Sequence, residues 1–140
     1  LQVSSRRSRG GVDDRNLYRA GVTAGENRLY RAQTDTGLSI QFTAPESLRV
    51  DQTVVLSFGA AEPVIGRDVS GQLSPRNQWQ GTVRSLGEEP ERVLLVVDVE
   101  GTPVRARVTR ETVRELGIQE GETVTVYLKS TATELLPASR

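Results

Sequence analysis

Residues 15–22 read Arg15-Asn16-Leu17-Tyr18-Arg19-Ala20-Gly21-Val22, and residues 76–83 read Arg76-Asn77-Gln78-Trp79-Gln80-Gly81-Thr82-Val83. The two stretches match at a constant offset of 61 positions, so the chain holds two copies of one unit. Downstream, Gly37-Leu38-Ser39-Ile40-Gln41-Phe42-Thr43 echoes residues 101–109 with small insertions, and Thr53-Val54-Val55-Leu56-Ser57-Phe58 echoes residues 123–128 at an offset of 70. Growth of the offset means that the second copy gained residues, chiefly around its first hairpin and a short helical segment. Each copy has roughly 60 to 65 residues, small for an independent core, so the two halves are expected to share strands or pack tightly together.

Around the repeat the pattern is that of strands. Arg92-Val93-Leu94-Leu95-Val96-Val97-Asp98-Val99 is β-branched and ends at the turn signal Glu100-Gly101. Val104-Arg105-Ala106-Arg107-Val108 alternates apolar and charged residues, as a half-buried strand does, and closes a hairpin around Gly101. Thr123-Val124-Thr125-Val126-Tyr127-Leu128 alternates likewise after the turn Glu120-Gly121. Between these strands, residues 109–117 predict a short helix. Thr109 is a good N-cap, Glu111 suits the positive end of the helix dipole, Val113 and Leu116 share one face to plug a barrel end, and Gly117 is placed as the stop. The corresponding Ala44-Pro45-Glu46-Ser47 is too short for the same helix. The expected fold is all-β: two tandem OB-like five-stranded barrels with one short helix in the second. Residues 1–12, rich in Ser, Arg and Gly, read as a flexible linker. The first half runs over 13–72, the second over 73–136, and 137–140 is a frayed tail.

The 140 residues carry 18 Lys+Arg against 18 Asp+Glu and contain no His, Cys or Met. That composition excludes a Ser-His-Asp triad, a Cys nucleophile, a structural zinc site and a disulfide framework. Zero net charge argues against a chain that coats nucleic acid or an acidic membrane. No apolar run approaches the ~20 residues that span a bilayer, and no secretory signal is visible. The start at Leu1, with no Met in the chain, points to a processed fragment of a larger parent. The carboxylates are scattered, with Glu88-Glu89-Pro90-Glu91 reading as a solvated loop. Neither a Walker-type loop nor GxGxxG occurs, so no enzyme activity is expected of this fragment. Tyr18 and Trp79 occupy equivalent repeat positions, which suits structural plugs better than the stacking platform of a nucleic-acid-binding OB surface.

One set of residues points to an anion. Ser74, Thr109, Thr112, Ser130 and Thr131 supply hydroxyls, Asn77 an amide, and the start of the predicted helix free N–H groups. Arg76 offers a planar fork, and Lys129, the single Lys beside 17 Arg, a compact point charge. A strongly hydrated dianion needs that many donors to replace its water. Taken one at a time, such residues are ordinary caps, turns and solvated side chains; their joint arrangement is what suggests a site.

The same residues carry a family resemblance. Ser74-Pro75-Arg76-Asn77-Gln78-Trp79-Gln80-Gly81-Thr82-Val83 resembles the S-A-R-N-Q-x-x-G-x-V signature of the molybdate-binding Mop domains, often grouped with TOBE domains of transporters. Thr109-Arg110-Glu111-Thr112 with Leu116-Gly117 resembles the family's T-R-E-S-x-x-x-L-G, and Leu128-Lys129-Ser130-Thr131 its I-K-[AS]-[ST]. Three motifs in order make the region 13–136 similar to a tandem di-Mop unit. The resemblance implies molybdate or tungstate as ligand, with no cofactor and no directly coordinated metal cation. Its implied site residues are Ser74, Arg76, Asn77, Thr109, Thr112, Lys129, Ser130 and Thr131. It further implies a homodimer or higher homo-oligomer with sites at subunit boundaries, and cytoplasmic localisation.

Such units occur behind the ATPase domain of molybdate or tungstate importers, in molybdate-responsive transcription regulators, and alone as molbindins. A degenerate half preceding a preserved one is most similar to the importer arrangement. There the bound oxyanion would mediate feedback inhibition of uptake, with the transporter's membrane subunits as partners through the parent protein at the inner face of the membrane. The first half has Asp13 where the second has Ser74, and Gly59 where the second has Lys129. It is therefore expected to act as scaffold, with Thr43 and Ser47 lining at most a remnant site.

Overall fold

The computed structural model describes residues 15–67 and 76–136. The expected linker over 1–12, the tail over 137–140, Asp13 and the candidate ligand Ser74 lie outside the described residues.

The elements are β1 (Arg15–Glu26), β2 (Leu29–Thr34), β3 (Ser39–Thr43), β4 (Thr53–Gly59), β5 (Val64–Gly66), β6 (Asn77–Glu88), β7 (Val93–Val99), β8 (Thr102–Val108), α1 (Arg110–Leu116), β9 (Thr123–Leu128) and β10 (Glu134–Leu136), with a 3₁₀ turn at Ser130–Ala132. They form two curled five-stranded sheets, ordered β10-β4-β1-β2-β3 and β5-β9-β6-β7-β8, all neighbours antiparallel. The short strand that ends each half belongs to the other half's sheet: β5 pairs with β9, and β10 with β4.

Local chemistry explains the elements. Every second residue of β7 is buried, which is the period-two signature of a half-covered sheet. The β7–β8 hairpin turns in two residues, Glu100 (φ 52°) and Gly101 (φ 89°), the pair of positive φ values that matches the twist of its flanking strands. The long strands β1 and β6 each carry a bulge at equivalent positions, between Val22 and Ala24 and between Val83 and Ser85. A bulge bends a strand of that length, so that one end pairs with one neighbour and the other end with another. The first hairpin of the first half closes through Asn27 and Arg28, whereas its counterpart needs residues 89–92. That loop and α1 account for the growth of the repeat offset. Helix α1 is capped by the Thr109 side chain, which accepts from Thr112 N–H, and stops at Gly117 (φ 63°), a left-handed position where a side chain would be strained.

The interior is one continuous apolar cluster, not two. Ala20, Ile40, Phe42, Leu56 and Phe58 from the first half join Val83, Leu95, Val97, Val104, Val126 and Leu128 from the second, while Val113 and Leu116 of α1 pack half-buried against it. The halves are also stitched by a pseudo-symmetric set of polar contacts. Asn16 accepts from the Arg105 N–H (2.7 Å) and donates to the Arg105 carbonyl (3.0 Å). Asn77 does the same with Gln41, at 2.7 and 2.9 Å. Beside them, the Tyr18 hydroxyl donates to Pro103 O (2.7 Å) and the Trp79 indole N–H to Ser39 O (3.0 Å). Burial pushes the Tyr18 phenol well above its ordinary pKa, opposed only in part by the Arg105 charge, so the hydroxyl stays a donor at neutral pH.

Candidate functional site

The antiparallel register that pairs Asn77 with Leu128 brings Arg76, at the head of β6, and Lys129, at the end of β9, to the same corner of the second sheet. Both are exposed, and neither side chain forms a hydrogen bond or ion pair with a described residue. Lys129 leads into the 3₁₀ turn that carries Ser130 and Thr131. Ser130 is buried and Thr131 exposed, and their hydroxyls have no hydrogen-bond partner among the described residues. Lys129 also lines a crevice with Glu62, Val64, Tyr127 and Ala132, so a carboxylate of the first half borders the corner. Two cations, two free hydroxyls and the turn's backbone N–H groups are the equipment an oxyanion needs to exchange its hydration shell for protein donors.

The equivalent corner of the first half is built from the same strands and lacks that equipment. Arg15 pairs in register with Gly59, and the following residues are Ala60 and Ala61 where the second half has Ser130 and Thr131. Arg15 itself is engaged: its Nε donates to Ser57 Oγ (2.7 Å) and its Nη2 to Glu134 Oε1 (3.1 Å). Ser57 corresponds to Tyr127 and Glu134 to Val64, so neither partner exists for Arg76. The loss read from Gly59 is thus reinforced by an ion pair that the sequence pattern did not reveal.

Three of the expected ligands stand differently from the rest. Asn77 is 3% exposed, and both hydrogens of its amide are committed, to Gln41 O (2.9 Å) and Leu128 O (3.2 Å). Both side-chain donors of Asn77 are thus engaged within the fold. Thr109 and Thr112 are bonded to each other, Oγ1 to Oγ1 at 2.9 Å and Thr112 N–H to Thr109 Oγ1 at 3.0 Å. They lie beyond the end of β8, beside the far end of β6, where Arg110 reaches Glu88 Oε1 (3.1 Å) and the Glu89 carbonyl. Arg76 and Lys129 flank the near end. Within one chain these are two groups at opposite ends of β6, and no hydrogen bond joins them.

Sequence reasoning also missed Thr133, whose buried Oγ1 has no partner among the described residues, and the Arg107–Glu89 pair. Arg107 grips both carboxylate oxygens, at 2.7 and 2.9 Å. These bonds hold the Glu89 carboxyl below its ordinary pKa, with burial opposing and the charges of Arg107 and Arg92 adding to the effect.

Among the described residues no helix is long and apolar enough to cross a membrane, and no cluster of His, Cys, Asp or Glu is suited to a metal ion. Residues 73–135 match the TOBE domain family. The chain is 40% identical over 76 residues to the molybdenum import ATP-binding protein ModC of Aromatoleum aromaticum, a match covering 49% of this chain and 20% of that protein. It therefore spans about a fifth of the length of that relative. Its fold superposes on the crystal structure of the cytoplasmic molybdate-binding protein ModG, with molybdate bound, at a TM-score of 0.77 and 22% identity, covering 96% of this chain and 98% of that one. Sequence motifs, sheet topology and these matches converge: residues 73–135 match a TOBE domain, within a chain whose fold is that of ModG.

Proposed function

We propose that the chain binds molybdate or tungstate at the corner formed by Arg76, Lys129, Ser130 and Thr131, and that Ser74, outside the described residues, belongs to the same ligand set. The observation that carries this reading is a pair of cations at one end of β6 and β9, beside two hydroxyls, none with a side-chain partner among the described residues, where the first half has Arg15 paired with Glu134 and a bare Gly59. The separation of Thr109 and Thr112 from that corner supports a site completed by a second copy of the chain, whose threonine pair would face the cations. The working unit is then a homodimer or higher homo-oligomer.

In the cell, this reading makes the chain the regulatory part of a molybdate or tungstate import ATPase, which the likeness to ModC supports. Bound oxyanion would favour one arrangement of subunits and bias the attached ATPase domains toward rest; inhibition of that kind requires different affinities for the two states. A second reading, a stand-alone cytoplasmic molybdate binder, is favoured by the end-to-end match with ModG. Calorimetric titration with molybdate, tungstate and sulfate, with sedimentation of the same samples, tests the shared claim. Saturable binding of the two larger oxyanions by an oligomer, with sulfate weaker, is expected; a monomer that heats equally with all three salts contradicts it.

A further inference from the structure

We infer that Asn77 is a positioning residue for the oxyanion corner, and that through it the first half is a working part of a site whose ligands all come from the second. The inference rests on the reading of Arg76, Lys129, Ser130 and Thr131 as ligands.

Asn77 sits immediately after Arg76, and the carbonyl it holds at 3.2 Å belongs to Leu128, immediately before Lys129. One amide thus spans the gap between the two cation-bearing backbones. The rest of its capacity goes to the first half: it accepts from Gln41 N–H and donates to Gln41 O, both on β3. The 3₁₀ turn of Ser130–Ala132 packs against the same strand. Strand β3 is therefore the seat of the ligand-bearing turn, and Asn77 is the clasp that fixes β6, β9 and β3 in one geometry. An anion that must be met by several donors at once gains from such a preset arrangement, because less ordering remains to be done on binding.

The repeat provides an internal control. Asn16 makes the same reciprocal bond to Arg105 in the other half, but its amide makes no hydrogen bond to Phe58, the counterpart of Leu128. It therefore clamps the halves without touching the turn after β4. Loss of either amide leaves a strand N–H and C=O of the opposite half without their buried partner, so both variants lose stability by similar amounts. Only the loss of Asn77 frees the backbone next to Lys129.

The test compares Asn77→Ala, Asn16→Ala and Lys129→Ala with the parent. Unfolding is followed by circular dichroism and molybdate affinity by calorimetry, at a temperature where every variant is folded. The expected result is a similar fall in Tm for the two Asn variants, a weakening of affinity on the order of tenfold for Asn77→Ala, and less than about twofold for Asn16→Ala. Equal affinities of the two folded Asn variants would overturn the inference while leaving the site intact, provided that Lys129→Ala still abolishes tight binding. Failure of the parent to bind molybdate, or unchanged binding in Lys129→Ala, would instead overturn the reading on which it rests. Should Asn77→Ala not fold, Asn77→Asp serves. It keeps the acceptor for Gln41 N–H and loses both donors, and parent-like affinity in it would overturn the inference equally.

Discussion

At the scale of single residues, the repeated positions separate what the fold requires from what the second half adds. Asn16 and Asn77 occur in both copies because each clamps the opposite half, and a half-size core needs that clamp. Lys129, Ser130 and Thr131 occur in one copy only, and their side chains make no hydrogen bond or ion pair with a described residue. Arg15 and Arg76 are the same residue in two electrostatic states, one held by Ser57 and Glu134 and the other without a partner among the described residues. A pH prediction belongs here. Glu89 has a folded pKa held below its ordinary value by Arg107. The stability it contributes is therefore present above the unfolded carboxylate pKa and lost as pH falls through the folded one. Urea midpoints of the parent and of Glu89→Gln should differ at pH 7 and converge in acid. A difference that persists at pH 2, where the carboxylate is protonated in both states, would show that packing and not charge carries the contact.

At the scale of elements, legibility followed locality. Helix α1 and its two ends were readable because the N-cap, the dipole partner and the stop residue are written within nine consecutive positions. The strands β7, β8 and β9 were readable because alternation and turn residues lie within each hairpin. The exchanged strands were not: Val64–Gly66 and Glu134–Leu136 are three residues each, too short to show a period, and their partners lie in the other half. The bonds of the Asn77 amide were hidden for the same reason. Its nature as a donor is visible in the sequence, but the carbonyls that consume both donors are 36 and 51 positions away. The Ser57 and Glu134 partners of Arg15, 42 and 119 positions away, were equally invisible. The cap of α1 permits a clean test. Thr109→Ala removes the acceptor for Thr112 N–H and should cost about 1 kcal/mol in urea unfolding, whereas Thr109→Ser should cost little. Equal losses in the two would mean that the methyl group, not the hydroxyl, matters at that position.

At the scale of the whole molecule, strand exchange and a single apolar cluster join the two copies into one body, and the proposed site assigns them different tasks. The first half supplies β3, which packs against the Ser130–Ala132 turn, β5, which edges the second sheet, and Glu62, which borders the corner. The second half supplies every cation and hydroxyl proposed to meet the oxyanion. That division predicts one class of site per chain, and molybdate titration of Lys129→Ala and Arg15→Ala beside the parent tests it most directly. Where a second copy of the chain buries the site, as proposed, loss of one charged partner costs about 2–5 kcal/mol, at least roughly 30-fold in affinity. Lys129→Ala should therefore lose tight binding while keeping its fold, and Arg15→Ala, whose guanidinium already faces Glu134, should bind as the parent does. Equal weakening of binding in the two variants would contradict the account, because the two halves would then share the site.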